Sequence, residues 1–265
     1  MSIRTISSRE NPQYKSLRQL ASSAQARKKS AQTVLDGIHL CSAWLQHRGA
    51  PLTCVVSESA QAHNEVIPIV ESCLALGTPV ALMSDALFAP LSQVENGIGL
   101  LFVIDIPPAS GRAELKTAAV LLDGVQDPGN LGSILRTAAA AGISNVYCGS
   151  GTVLAWSPKV LRAGMGAHFA LDIAENVDLS ALIGASRVPV LATSSHAHIS
   201  LYDLDLRMPC AWLFGNEGRG VSDTLLTLCA HRLSIPQRST IESLNVAASA
   251  AVCLFEQIRQ QGATR

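Results

Sequence analysis

The sequence predicts an α/β fold with a mostly parallel sheet, together with a smaller α/β domain at the N-terminus. Short apolar runs alternate along the chain with segments whose apolar residues recur every three to four positions, and strands that alternate with helices typically form parallel sheets. The composition, 48% apolar and 15% charged over 265 residues, is globular and allows two domains. A run of turn formers at 107–111 divides the chain, so we expect domains at 1–107 and 108–265.

In the first domain, strand and helix patterns alternate from the start of the chain. Strands are expected at 33–35, 52–56, 79–83 and 100–106. Helices are expected at 12–29, 38–46 and 65–76. The first helix is basic. It belongs to a cationic head formed by Arg4, Arg9, Lys15, Arg18, Arg27, Lys28, Lys29 and Arg48. With only Glu10 and Asp36 as acids, this head suits a phosphate backbone, although a solvated helix surface has the same pattern.

The second domain repeats the alternation. Strands are expected at 118–122, 145–148, 169–173, 190–193, 211–214 and 232–235. Helices are expected at 131–141, 158–165, 179–186 and 223–228, with a long last helix from 244. The apolar stripe of the last helix is predicted to be Leu244, Ala247, Ala248, Ala251, Val252, Phe255 and Ile258. In parallel sheets, ligands bind beyond the carboxyl ends of the strands, so the polar segments that follow the strands are candidates for a binding site.

Several classes of protein are disfavoured by the composition. The seven cysteines are scattered, odd in number and without C-x-x-C spacing, which indicates free thiols and a cytoplasmic location. No Cys and His residues have metal-ligand spacing, and no apolar run is long enough to cross a membrane. The 20 basic and 20 acidic residues cancel, so any site for a polyanion must be local.

The first polar segment at a strand end is 123–136. It begins with a turn in which Asn130 is the expected helix cap. Arg136 lies off the apolar stripe of the following helix, on a face that it shares with Gly129 and Gly132. Bare backbone beside a guanidinium predicts the close approach of an anionic ligand. The alternative is an ordinary solvated arginine.

Two further polar segments follow strands. In the segment 212–220, three glycines within six residues expose backbone groups, and Glu217 adds a carboxylate. In the segment 234–246, Ser239 and Glu242 have the spacing of a capping box, which leaves Asn245 unexplained. A plain glycine-rich turn and a plain helix cap are the alternatives for these segments.

A fourth segment, 149–154, begins like a dinucleotide-binding fingerprint. Gly149 and Gly151 follow a predicted strand, but the third glycine of the fingerprint is missing. Pro158 also indicates that the next helix begins later than the fingerprint requires. We therefore do not expect a dinucleotide site.

Taken together, the three polar segments resemble the SpoU/TrmH family of RNA ribose 2′-O-methyltransferases, within the SPOUT superfamily. The motifs that carry the resemblance are NLGSILR at 130–136, FGNEGRG at 214–220, IP at 235–236 and ESLNV at 242–246. They occur in the order and spacing of the family. The first domain, through Lys15 and the stretch 36–40, is more loosely similar to the RNA substrate-binding module of the family.

The resemblance implies a C-terminal trefoil knot, S-adenosylmethionine as cofactor and a homodimer formed through the C-terminal domains, with RNA bridging the subunits. It assigns the catalytic and ribose-lining positions to Arg136, Asn130, Glu217, Ser243 and Asn245. It assigns cofactor contacts to Thr193, Gly215, Asn216, Ile235, Gln237 and Leu244. Two positions depart from the family, since Gln237 stands where methionine is usual and Ser239 where glycine is usual.

The implied reaction is transfer of a methyl group to a ribose 2′-hydroxyl of RNA. Arg136 matches the proposed general base of the family, but a guanidinium is almost never deprotonated, so a phosphate clamp is the other possible role. A separate basic module favours rRNA over tRNA as the substrate. The competing class is a non-catalytic RNA-binding or assembly protein with the same fold.

Overall fold

The structure is a computed structural model that describes residues 3–94, 97–110, 114–238 and 243–262. Two compact units are distinguished by their internal contacts. Unit 1 comprises Met1–Pro107 and Trp156–Phe169, and unit 2 comprises Pro108–Ala155 and Ala170–Arg265. The chain therefore passes from one unit to the other at three points.

The helices and strands are numbered in chain order. The strands are β1 (Arg4–Ile6), β2 (Gln32–Asp36), β3 (Thr53–Ser57), β4 (Val80–Met83), β5 (Leu100–Asp105), β6 (Ala119–Asp123), β7 (Asn145–Gly149), β8 (Asp172–Val177), β9 (Val190–Thr193), β10 (Ile199–Ser200), β11 (Ala211–Gly215) and β12 (His231–Ser234). The helices are α1 (Pro12–Ser22), α2 (Ala24–Ser30), α3 (Ile38–His47), α4 (Val66–Ala75), α5 (Asp85–Phe88), α6 (Pro128–Ala140), α7 (Pro158–Gly164), α8 (Leu179–Gly184), α9 (Asp223–Leu228) and α10 (Val246–Gln261).

Unit 1 contains a five-stranded mixed sheet in the order β1-β4-β3-β5-β2. Strands β1, β4 and β3 are parallel, whereas β5 is antiparallel to β3 and to β2. The predicted basic helix at 12–29 is two helices, because Ser23 is extended and its hydroxyl accepts a hydrogen bond from the N–H of Ala26. Strand β1 and helix α5 were not predicted, because elements of three and four residues are too short to show a periodic pattern.

The cationic head divides into structural and surface residues. Arg27 is buried on α2, and its guanidinium donates to the carbonyl of Leu20 at 2.7 Å. Arg48 donates through Nε to the carbonyl of Phe169 at 3.1 Å. The remaining six cations are all exposed: Arg4, Arg9, Lys15, Arg18, Lys28 and Lys29. The basic surface therefore has fewer cations than the sequence count indicates, but the six exposed ones still form it.

The segment 156–169 packs within unit 1 although it lies far along the chain. The hydroxyl of Thr33 donates to the carbonyl of Trp156 at 2.8 Å, and the rings of Trp44 and Phe169 meet edge to face with centroids 5.3 Å apart. A strand was expected at 169–173, but Phe169 belongs to this packing and β8 begins only at Asp172.

Unit 2 contains a seven-stranded sheet in the order β10-β12-β9-β11-β6-β7-β8, and every pair in it is parallel. The predicted α/β fold with a mostly parallel sheet is confirmed. Strands β12, β9, β11 and β6 are neighbours, so the polar segments that follow them meet at one edge of the sheet. The trefoil knot stays a prediction, and residues 239–242 of the C-terminal part in which it is expected lie outside the described part.

Two predictions about helices in unit 2 are wrong. Helix α6 starts at Pro128 and is capped by the side chain of Asp127, so Asn130 is inside the helix and its side chain is available for other contacts. The buried residues of α10 are Ala250, Cys253, Leu254, Glu256 and Gln257. The predicted stripe of α10 is instead partly or fully exposed, because the buried Trp212 of β11 donates to Gln257 at 2.8 Å and turns the other face of the helix inward.

Candidate active site

The turn that follows β11 leaves no room for a side chain at its first position, Gly215. A Cβ atom at Gly215 would collide with the backbone of Gly220 and Val221. The turn closes through two backbone hydrogen bonds between Asn216 and Gly220, of 3.0 and 2.8 Å. The loop 215–220 is thus a compact structure rather than a loose glycine-rich connection.

Asn216 holds this loop from inside. Its Oδ1 accepts hydrogen bonds from the N–H groups of Gly218 and Arg219, at 3.0 and 3.1 Å. Its Nδ2 donates to the carbonyl of Gly124 at 2.8 Å, which joins the loop to the turn after β6. The carboxamide is therefore engaged in positioning backbone.

Glu217 joins the same two segments through its carboxylate. Oε1 accepts from the N–H of Asp127 at 3.0 Å and from Nδ2 of Asn130 at 3.1 Å, while Oε2 accepts from the N–H of Gln126 at 3.1 Å. Partial desolvation acts to raise the pKa of Glu217, but these hydrogen bonds together outweigh it, so the pKa is lower than usual. The negative charge also lies beside the N-terminus of α6, where the helix dipole favours it.

Asn130 and Asn245 extend this chain of hydrogen bonds to the third segment. Nδ2 of Asn245 donates to Oδ1 of Asn130 at 2.9 Å. Oδ1 of Asn245 caps α10 by accepting from the N–H groups of Ala247 and Ala248, at 2.9 and 3.2 Å. The cap of α10 is thus Asn245, while the expected capping pair, Ser239 and Glu242, lies outside the described residues. The linked side chains of Asn245, Asn130 and Glu217 connect all three segments that the sequence singled out.

A cavity of about 770 Å³ lies at this edge of the sheet. The predicted residues that line it are Thr193, Gly215, Asn216, Glu217, Ile235, Gln237, Ser243, Leu244 and Asn245. Asn130 is joined to the lining by its hydrogen bonds to Glu217 and Asn245. The structure therefore brings together residues that are more than 100 positions apart in the sequence.

Like Asn130, Arg136 is a predicted residue that the cavity lining does not include. It is exposed on α6 and forms no ion pair within the described part of the chain. The expected bare surface beside it is only partly correct, because Gly129 is exposed but Gly132 is buried. Arg136 is a solvent-facing cation on the helix that carries Asn130.

The cavity also has lining residues that sequence reasoning missed. They are Ser194, Ser195, His196, Arg219, Val221, Asp223, Leu226, Leu233, Val246 and Ser249, with parts of the loop 215–220. The signal was present in the polar run that directly follows β9, at the same edge of the sheet. Among the described residues, no group of three or more His, Cys, Asp and Glu could hold a metal ion, and no helix could span a membrane.

Comparisons with known proteins agree with this arrangement. The sequence model of the SpoU rRNA Methylase family matches residues 117–255. An uncharacterized tRNA/rRNA methyltransferase of Synechocystis sp. is 34% identical over 98% of this chain and 96% of its own length. The 23S rRNA (guanosine(2553)-2′-O)-methyltransferase RlmP of Bacillus subtilis is 29% identical over 96% of this chain and 98% of its own.

A solved structure has the same fold over nearly the whole chain. The AdoMet-bound rRNA methyltransferase from Sinorhizobium meliloti superposes with a TM-score of 0.84 at 27% identity, over 97% of this chain and 98% of that one. The predictions of an RNA ribose 2′-O-methyltransferase and of S-adenosylmethionine as its cofactor are confirmed. The chain belongs to the SpoU rRNA Methylase family.

Proposed function

We propose that this enzyme methylates a ribose 2′-hydroxyl of rRNA at the cavity of unit 2. The observation that carries the proposal is the hydrogen-bonded chain of Asn245, Asn130 and Glu217, which joins three separate segments beside that cavity. A loop that served only to connect strands and helices would not need such cross-links.

The cavity fits the cofactor in size and in chemistry. Its volume of about 770 Å³ lies within the range of roughly 300–1,000 Å³ of small-molecule sites. Leu233, Ile235 and Leu244 offer apolar contacts for an adenine ring, and the loop 215–220 offers backbone groups. In our proposal Thr193, Gly215, Ile235, Gln237 and Leu244 contact S-adenosylmethionine, while Asn216 supports them by holding the loop.

When bound, S-adenosylmethionine supplies an electrophilic methyl group on a sulfonium, so the protein has to orient the 2′-oxygen and stabilise the charge that develops on it. Asn130, Ser243 and Asn245 are proposed to position the ribose, with Glu217 fixing Asn130. Arg136 is proposed to act as a clamp on the adjacent phosphate and on the developing alkoxide. The reason is its exposure, which leaves the planar guanidinium open to an incoming phosphate.

For rRNA as the substrate, two observations give support. The related enzyme from Bacillus subtilis acts on 23S rRNA, and the Sinorhizobium meliloti structure is an rRNA methyltransferase. Unit 1 carries six exposed cations in its first 29 residues, a surface that can bind RNA phosphates outside the active site. We propose unit 1 as the RNA-binding domain of a cytoplasmic enzyme, with unit 2 as the methyltransferase domain.

The outer face of α10 supports the proposal of a homodimer formed through unit 2. Phe255 is 50% exposed on α10, and Ala248, two helical turns earlier, is exposed on the same face. An apolar helix face with small residues allows another helix to approach closely. Analytical ultracentrifugation should give the mass of a dimer for the wild type and of a monomer for Phe255→Glu.

The test of the substrate is methylation of purified RNA by the wild-type enzyme. Incubation with radiolabelled S-adenosylmethionine should label unmodified 23S rRNA transcripts at a ribose 2′-oxygen and leave tRNA transcripts unlabelled. Label on tRNA alone would contradict the rRNA proposal. If both RNAs stayed unlabelled and no heat of S-adenosylmethionine binding were measured by calorimetry, the protein would be a non-catalytic member of the fold.

A further inference from the structure

We propose that Thr152 is a positioning residue for methyl transfer, although it lies in the segment 149–154 that no functional motif covers. This inference rests on the proposed roles of Asn130 and Arg136 on α6. Thr152 is half-buried in the loop after β7. Its hydroxyl donates to the carbonyl of Leu122 at 3.1 Å and accepts from the N–H of Gly124 at 3.2 Å.

These bonds hold the turn between β6 and α6 at Gly124. This residue has φ +72°, a conformation that residues other than glycine rarely adopt. The N–H of Gly124 is held by Thr152, and its carbonyl is held by Asn216 of the loop 215–220. The next carbonyl, of Val125, accepts from the N–H of Val153 at 2.9 Å.

The same turn then supplies the N–H groups that bind the carboxylate of Glu217 in the loop 215–220. Gln126 and Asp127 donate to Glu217, and Asp127 caps the helix that carries Asn130. The turn 122–127 is therefore held from two sides, by the loop 149–153 on one and by the loop 215–220 on the other. Loss of the two Thr152 hydrogen bonds weakens the first support, while the second support and the hydrogen bond between Asn245 and Asn130 remain.

The chemistry of a threonine hydroxyl suits this position. It both donates and accepts, and thus bonds a carbonyl and an N–H that lie two residues apart. Thr152→Val keeps the shape of the side chain and removes both hydrogen bonds, whereas Thr152→Ser keeps the hydroxyl. Thr227 is a matched control, because its exposed hydroxyl bonds only to the carbonyl of Thr224 in its own helix.

The first experiment measures single-turnover methylation of a 23S rRNA transcript by the full-length enzyme. We expect Thr152→Val to slow the reaction at least tenfold, with the dissociation constant for S-adenosylmethionine changed less than threefold. Thr152→Ser and Thr227→Val should each stay within threefold of the wild type. Equal rates for Thr152→Val and the wild type, or equal losses for Thr152→Val and Thr152→Ser, would overturn the inference. A wild type that methylates no rRNA would instead contradict the proposed substrate.

The second experiment needs no RNA. Amide hydrogen exchange at Gly124, Gln126 and Asp127 should become at least tenfold faster in Thr152→Val than in the wild type, with no change in Thr227→Val. If exchange at these three amides were unchanged, Thr152 would not support the turn and the inference would fail whatever the substrate.

Discussion

Unit 1 and unit 2 use polar side chains in different ways. In unit 1 the charged groups are mostly at the surface, and Lys28 and Lys29 project from a short helix without a fixed partner among the described residues. In unit 2 the carboxylate of Glu217 makes three hydrogen bonds within one cluster. A surface that holds RNA phosphates needs charge more than geometry, whereas a reacting centre needs its groups held in place. Substitutions should therefore impair binding in unit 1 and chemistry in unit 2.

The largest effect is expected for Arg136→Ala. Removal of the cation that we propose to clamp the phosphate and the developing alkoxide should lower the methylation rate by about 10³-fold or more. The affinity for S-adenosylmethionine should stay near that of the wild type, because Arg136 does not line the cavity. Single-turnover methylation and calorimetry measure the two quantities, and Arg162→Ala on α7 is the control. Near-normal turnover of Arg136→Ala would contradict the proposed role of Arg136.

A smaller loss is expected for Glu217→Gln. The amide keeps the shape but carries no charge and accepts fewer hydrogen bonds, so the links to Gln126, Asp127 and Asn130 weaken. We expect a rate lower by roughly 10- to 100-fold, the range of one lost positioning group. A rate within twofold of the wild type would mean that the hydrogen-bonded chain is not needed for chemistry.

The third prediction concerns the cations of unit 1. The double variant Lys28→Ala and Lys29→Ala should weaken rRNA binding, and the slope of log affinity against log salt should fall by about 1–2. The rate at saturating RNA and the affinity for S-adenosylmethionine should not change. Electrophoretic mobility shifts at several salt concentrations measure the slope. An unaltered slope would show that RNA does not bind at this surface.

The smallest effect is on stability and depends on pH. The pKa of Glu217 is lower in the folded protein than in the unfolded chain, so its contribution is present above the unfolded pKa and is lost as the pH falls through the folded one. Because the side chain is exposed, we expect no more than about 1 kcal/mol. The difference in free energy of unfolding between wild type and Glu217→Gln should shrink between pH 7 and pH 3. A difference that grew as the pH fell would contradict this sign.

Much of the fold and the site could be predicted because the signals are local. Buried parallel strands are recognisable in a sequence as apolar runs, and polar residues directly after them indicate the edge of the sheet where ligands bind. The loops around Asn130, Glu217 and Asn245 were found in this way. The hydrogen bonds between them could not be, since they join residues 87 and 115 positions apart and depend on the order of the strands.

The failures have equally physical causes. The alanine-rich α10 has apolar residues on two faces, so periodicity alone predicted the wrong face to be buried. Segment 156–169 was assigned to the second domain by chain order, yet its contacts lie in unit 1. Thr152 gave no signal because its role comes from two backbone groups nearly 30 residues earlier in the chain.

The most direct measurement is hydrogen exchange with and without saturating S-adenosylmethionine. Slower exchange is expected together at 193–196, 215–220, 233–238 and 243–249, while unit 1 keeps its exchange rates. The account would be contradicted if protection appeared in unit 1 instead, for instance around Ser57, Asp85 and Ser92, or if only one of these four ranges were protected.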